Sequence, residues 1–217
     1  MRDFFAYDGS FVRFMTHAVD LVVLSFLFIV CSLPVFTAGA AFSALYYSVN
    51  KVIRHDRGYV FKEYFKAFKQ NFRQSTIIWA ILIIAYTVLG TECYLMYQYA
   101  IKGQTIGYLY FPLMIIVALI VVWTLYLFPY IARFNNSTKA IMKNAALMAI
   151  ANIGSSLFLF VMFVLFVLLI VAWPLLAFLV PGAYTLILNR RLEKVFLKYM
   201  TEEDIAAEAE RNREYKN

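Results

Sequence analysis

LFLFVMFVLFVLLIV, residues 157–171, runs for fifteen positions without a charged or strongly polar side chain, and Leu21 to Val30 repeats the pattern near the other end. In lipid every backbone amide and carbonyl must be satisfied within the protein, which leaves helices or a closed barrel. Barrel strands alternate apolar and polar residues, and these stretches do not alternate. The fold class they predict is all-α, a polytopic helical membrane bundle.

The whole chain agrees with these two stretches. Of 217 residues, 63% are apolar and only 15% charged. Twenty-one Phe and 16 Tyr against 8 Gly and 5 Pro exclude collagen-like or disordered material, and the apolar blocks exclude an ordinary soluble domain. The first block, about 11–53, is too long for one crossing of a hydrocarbon core ~30 Å thick at ~1.5 Å per residue. Ser32-Leu33-Pro34 divides it, because proline lacks an amide donor and disfavours helix in the residue before it; Thr37 is placed to cap the second helix of the pair. Trp173-Pro174 divides the last block in the same way. With single spans between, the expected crossings are 11–33, 37–53, 75–96, 108–131, 153–173 and 174–189. A five-span topology, with one tilted crossing at the N-terminal end, is the alternative.

The formal net charge of +7 is distributed by loop rather than gathered in a patch. Lys51, Arg54, Arg57, Lys62, Lys66, Lys69 and Arg73 follow the first block, Arg133, Lys139 and Lys143 a later one, and Arg190, Arg191, Lys194 and Lys198 the last. Between Ser75 and Ala132 the basic residue is Lys102. This asymmetry follows the positive-inside rule, so the basic loops and both termini are expected on the cytoplasmic side of the membrane. Nucleic acid is not an expected partner; the lipid bilayer is. Ala38-Gly39-Ala40 resembles a signal-peptidase site, but cleavage there would export the basic segment 51–73, so the first block is expected to be retained. The tail 201–217 is polar, with Thr201 placed to cap a short acidic turn.

Two connectors are expected to be amphipathic cytoplasmic helices, about 59–73 and 137–150. In the first, Phe61, Tyr64, Phe65, Phe68 and Phe72 recur at helical spacing with Lys62, Lys66, Lys69 and Arg73 between them, a candidate face for docking on a partner or on lipid headgroups. Gly39 and Ser43 stand at small-xxx-small spacing, a pattern that allows two helices to approach closely, with a partner in the same bundle favoured. Asp20 and Glu92 are the candidate intramembrane polar residues; Asp20 lies at i+3 from His17 and i+7 from Arg13 and could pair with either. Pro34 and Pro174 mark helix breaks.

Catalysis needs a nucleophile or metal with a base in reach. The chain has two histidines, no HExxH, no Gly-rich phosphate loop, and two cysteines, Cys31 and Cys93, without metal-ligand or disulfide spacing. No catalytic residue, metal or cofactor is expected, and the protein is not expected to be an enzyme.

Phe11-Val12-Arg13-Phe14, the run Cys31 to Ala41, Gly58, Phe65 to Phe72, Arg133 to Asn136, Lys143-Asn144-Ala145 and Leu188 to Arg191 together resemble the YesL-like family, over about residues 1 to 200. These are small integral membrane proteins of Gram-positive bacteria with a domain of unknown function. The resemblance implies no catalytic residues. It implies association with carbohydrate ABC importers, whose permease or ATPase subunits would be the partners. The function expected is therefore a non-catalytic accessory membrane protein that assembles, docks on or modulates such an importer. A small independent transporter, suggested by the two broken helical hairpins, and a membrane component of sugar sensing are the alternatives.

Overall fold

The computed structural model describes residues 10–200 and 202. Apart from Glu202, the expected tail 201–217 lies outside the described residues. Among them the chain forms seven α-helices and no strand: α1 (Ser10–Ser32), α2 (Ala38–Ser48), α3 (Val60–Ile101), α4 (Tyr110–Arg133), α5 (Thr138–Ala151), α6 (Ile153–Ala172) and α7 (Val180–Phe196).

Both proline breaks are present, with different chemistry. Pro34 is extended (φ −74°, ψ 105°) and leads into a single 3₁₀ turn, Val35–Thr37, before α2 begins. Thr37 makes no side-chain cap to α2. Its hydroxyl turns back instead, 2.5 Å from the Cys31 carbonyl and 2.6 Å from that of Pro34, so it holds the end of α1 rather than the start of α2. After Trp173 a longer 3₁₀ segment, Pro174–Phe178, delays α7 to Val180. Ser137 accepts from the Ala140 amide at 3.4 Å and starts α5.

The stretches read as a connector helix (59–73) and a span (75–96) form one 42-residue helix, α3. At ~1.5 Å per residue it is ~63 Å long, about twice a hydrocarbon core. Nothing interrupts it: no proline lies within it, and its one glycine, Gly90, comes far along. A change from amphipathic to apolar composition alters the solvent a helix faces, not its hydrogen bonding.

By length and composition α1, α3, α4 with its preceding turn, and α6 are each able to cross a membrane. The expected second and sixth spans, 37–53 and 174–189, correspond to shorter helices. α2 gives way to a π-helical turn, Val49–Arg54, and the 3₁₀ segment shortens α7. α2 ends at Ser48, and the second half of α7 carries Asn189, Arg190, Arg191, Glu193 and Lys194.

Two apolar clusters hold the helices together. Leu24, Leu45, Val49 and Tyr64 join α1, α2 and the start of α3; Tyr126, Phe128, Ile141, Leu159, Leu188 and Phe196 join α4 to α7. Two glycines allow backbones to touch. A Cβ on Gly39 would lie 2.7 Å from both Phe128 Cε1 and Trp79 Cβ and 2.9 Å from the Ser75 carbonyl oxygen. One on Gly182 would lie 2.7 Å from the Leu21 carbonyl oxygen, which closes α7 onto α1, where Ser25 Oγ accepts from the Gly182 amide at 2.8 Å. Without a hydrophobic driving force between helices in lipid, close packing and such hydrogen bonds carry the association.

Candidate functional site

Where α2, α4 and α7 meet, Glu193 is buried. Its Oε1 accepts from Tyr46 Oη and from Asn50 Nδ2, each at 3.0 Å, and its Oε2 lies 3.3 Å from Arg133 Nε. One helical turn back along α7, Asn189 Oδ1 accepts from Arg54 Nη1 at 2.6 Å. A buried carboxylate is tolerable only when paired and hydrogen-bonded, and this one is both. The cluster fastens the π-helical turn to α4 and α7. Sequence reading uses Arg133 and Arg54 as topology markers, and Arg133 for the family resemblance, and passes over Tyr46 and Glu193. A signal is there: Glu193 shares the buried stripe of Asn189, Leu192 and Phe196, an acid on the wrong face of an amphipathic helix.

A second cluster braces the connector between α2 and α3. Lys51 Nζ meets Glu63 Oε2 at 2.8 Å, and Glu63 is buried under Gly58, whose φ of 75° and missing Cβ leave room for the carboxylate. His17 Nε2 lies 3.1 Å from Asp56 Oδ1, so α1 is tied to the same connector. Asp20, half-buried on α1, forms no hydrogen bond or ion pair with His17 or Arg13 among the described residues, although its spacing allowed either. Glu92 is exposed on the distal part of α3. Among the described residues no three His, Cys, Asp or Glu side chains gather as a metal site.

The residues expected to form one docking face on 59–73 are divided by the fold. Tyr64 is fully buried against α2, its hydroxyl 3.4 Å from the Ala41 carbonyl oxygen. Phe68 and Phe72 are half-buried in a ring sequence that starts at Tyr64, with centroids 6.4 Å and then 5.4 Å apart. Phe61 and Phe65 face outward, 59% and 49% exposed, with Lys62, Lys66, Lys69 and Arg73 exposed beside them. Gly39 and Ser43 lie against α3 and α4 of the same chain, Ser43 Oγ sharing a 2.9 Å hydrogen bond with Ser75 Oγ.

Between six of the helices lies a cavity of about 390 Å³. Phe28 of α1, Phe42 of α2, Trp79 of α3, Phe128 of α4, Phe166 of α6 and Tyr184 of α7 form its walls. Most polar atoms on those walls are occupied within the protein. Trp79 Nε1 donates to the Val35 carbonyl at 2.7 Å, Tyr86 Oη and Thr124 Oγ1 share a 2.7 Å hydrogen bond, and Tyr184 Oη donates to the Leu159 carbonyl at 3.3 Å.

Residues 21–92 match a family described as "Protein of unknown function, DUF624". The matched segment holds about half of α1, all of α2, the connector and most of α3, and so includes the Gly39 contact, the Lys51–Glu63 pair and the outward Phe61/Phe65 row. No curated protein and no solved structure matches the chain.

Proposed function

We propose that the chain is a non-catalytic accessory protein of the bacterial cytoplasmic membrane that docks on a carbohydrate ABC importer through the outward row of α3. The observation that carries the docking part is the contrast within one helical segment. Val60, Glu63, Tyr64 and Ala67 are buried and fix the segment to the bundle, while Phe61 and Phe65 on the same turns are left facing outward among lysines. A rigidly mounted helix with two outward aromatic rings, Phe61 and a Phe65 that rests edge-on against Tyr64 at 5.7 Å, suits a partner helix or an ATPase groove. The importer as partner rests on the resemblance to YesL-like proteins, with which the DUF624 match over residues 21–92 is consistent.

The test is replacement of Phe61 and Phe65 together by Asp. Neither side chain belongs to the buried set, so membrane insertion and thermal unfolding should match wild type. Co-purification of permease or ATPase, and sugar uptake, should fall steeply, because each anchor contributes ~1.5–3 kcal/mol when fully buried and each new carboxylate would be desolvated without a partner. Charge reversal at Lys62, Lys66 and Lys69 should do less if protein contact dominates. It should do as much, in a salt-sensitive way, if the row binds anionic lipid at ~1 kcal/mol per basic residue. Normal partner retention and uptake in a correctly inserted Phe61/Phe65 variant would end the docking proposal.

A second reading, an independent small transporter, draws on the cavity lying beside both broken hairpins, with Ala38 after one break and Val180 after the other on its walls. The walls argue against a sugar as cargo, since a sugar site needs hydrogen-bonding groups that the protein has not already satisfied.

A further inference from the structure

We propose that the cavity between α1, α2, α3, α4, α6 and α7 is a binding site for one acyl chain of a bilayer phospholipid. Its volume of about 390 Å³ falls in the range of ligand pockets, ~300–1,000 Å³. Water is a poor occupant, because an ordered water needs two to four polar partners and nearly all the wall is hydrocarbon. All four helices able to cross a membrane contribute to that wall, so the surrounding medium of the site is itself hydrocarbon. On the α6 side, Val167 lines the cavity and is exposed, and Leu168 and Leu169 next to it are exposed too, so this side is where a chain would enter from the bilayer.

One lining group points to more than a space-filling tail. Thr185 is fully buried on α7, and its hydroxyl has no hydrogen-bond partner in the protein, whereas those of Tyr86, Thr124 and Tyr184 on the same walls are partnered. A buried hydroxyl without a partner is costly, and an ester carbonyl at the head of an acyl chain is an acceptor that satisfies it. Apolar walls and a single available donor fit an acyl ester. They do not fit a sugar.

The experiment uses the full chain in vesicles of phosphatidylethanolamine and phosphatidylglycerol doped with a phospholipid that carries a photoreactive diazirine on one acyl chain. After irradiation, labelled peptides are mapped by mass spectrometry. Labelling should concentrate on cavity residues such as Phe163 and Phe166 of α6 and Tyr184 of α7, above the outward positions Leu165 and Leu168 of α6. Ala38→Leu, which narrows the cavity, should lower that excess while leaving outward labelling unchanged. Thr185→Val keeps the shape and should fold as wild type; it should lower cavity labelling by about fivefold, the worth of one hydrogen bond. Equal labelling of cavity and outward positions, or an excess unaffected by either variant, would overturn the proposal.

Discussion

α2 and α6 make opposite use of their side chains. α2 is built from small and polar residues, AGAAFSALYYS, and eight of its eleven residues are buried. α6, IGSSLFLFVMFVLFVLLIVA, is almost wholly apolar, yet Ser156 and Leu159 are the buried residues among its twenty. In water this distribution would be inverted, because apolar area is driven inward. In a bilayer leucine and lipid tails are equivalent solvents, so the apolar helix is left outside and the interior goes to residues that pack closely or need a hydrogen-bond partner. Hydrophobicity therefore marks where lipid is, and small or polar residues mark where protein is.

The largest effect that could break this comparison is expected at the polar end of the interior. Glu193→Ala leaves Arg133 facing a buried site without its carboxylate and frees Tyr46 and Asn50, so stability should fall by ~3–5 kcal/mol, as when one partner of a buried ion pair is removed. Thermal unfolding in detergent micelles, followed by tryptophan fluorescence, measures it. The paired replacement Arg133→Met with Glu193→Leu should recover the share due to the uncompensated charge, while the loss from Tyr46 and Asn50, left without their acceptor, remains; a double variant no better than the single would show that the pair does more than balance its own charges.

Next in size is Gly39→Val. Its Cβ meets the α3 backbone at the Ser75 carbonyl, and Trp79 at the Cβ, the part of a side chain least able to move away. Overpacking of this kind costs ~1–3 kcal/mol, and the same unfolding measurement should show α2 among the least tolerant helices. The smallest effect is expected at Leu165→Ala on α6. This side chain is exposed to what should be lipid, and its truncation should change stability by no more than ~0.5 kcal/mol. A loss as large as that at Gly39 would mean that another protein, rather than lipid, covers α6.

Two parts of the candidate site differed in how far they could be read from the sequence. Glu63, a charge beside Lys62 in sequence, is buried against Lys51, whereas Lys62, Lys66 and Lys69 recur on one face of the segment and do face outward, so their position was legible from periodicity. The aromatic row was not, because phenylalanine and tyrosine at the same spacing serve equally well as a core stripe or as a free surface. Tyr64 became core because Ala41 and Ala44 leave room for its ring against α2, and Phe61 and Phe65 beside it are left exposed among the described residues. Likewise His17 could pair with Asp20 by spacing, but the chain turn at Asp56, with φ of 52°, brings a second carboxylate to it from 39 positions away.

By itself the sequence determined what depends on local chemistry: an all-α membrane bundle from the uninterrupted apolar runs, the breaks at Pro34 and Pro174 from the missing amide donor, and a close helix contact from Gly39 and Ser43. Tertiary structure alone decided the rest. It fused 59–73 and 75–96 into one helix, because no residue there stops a helix and a change of surroundings does not break hydrogen bonds. It assembled Tyr46, Asn50, Arg133 and Glu193, and it shaped the cavity between the helices. These features depend on which helices become neighbours, and side-chain pairings across more than a hundred residues leave no local periodicity in the chain.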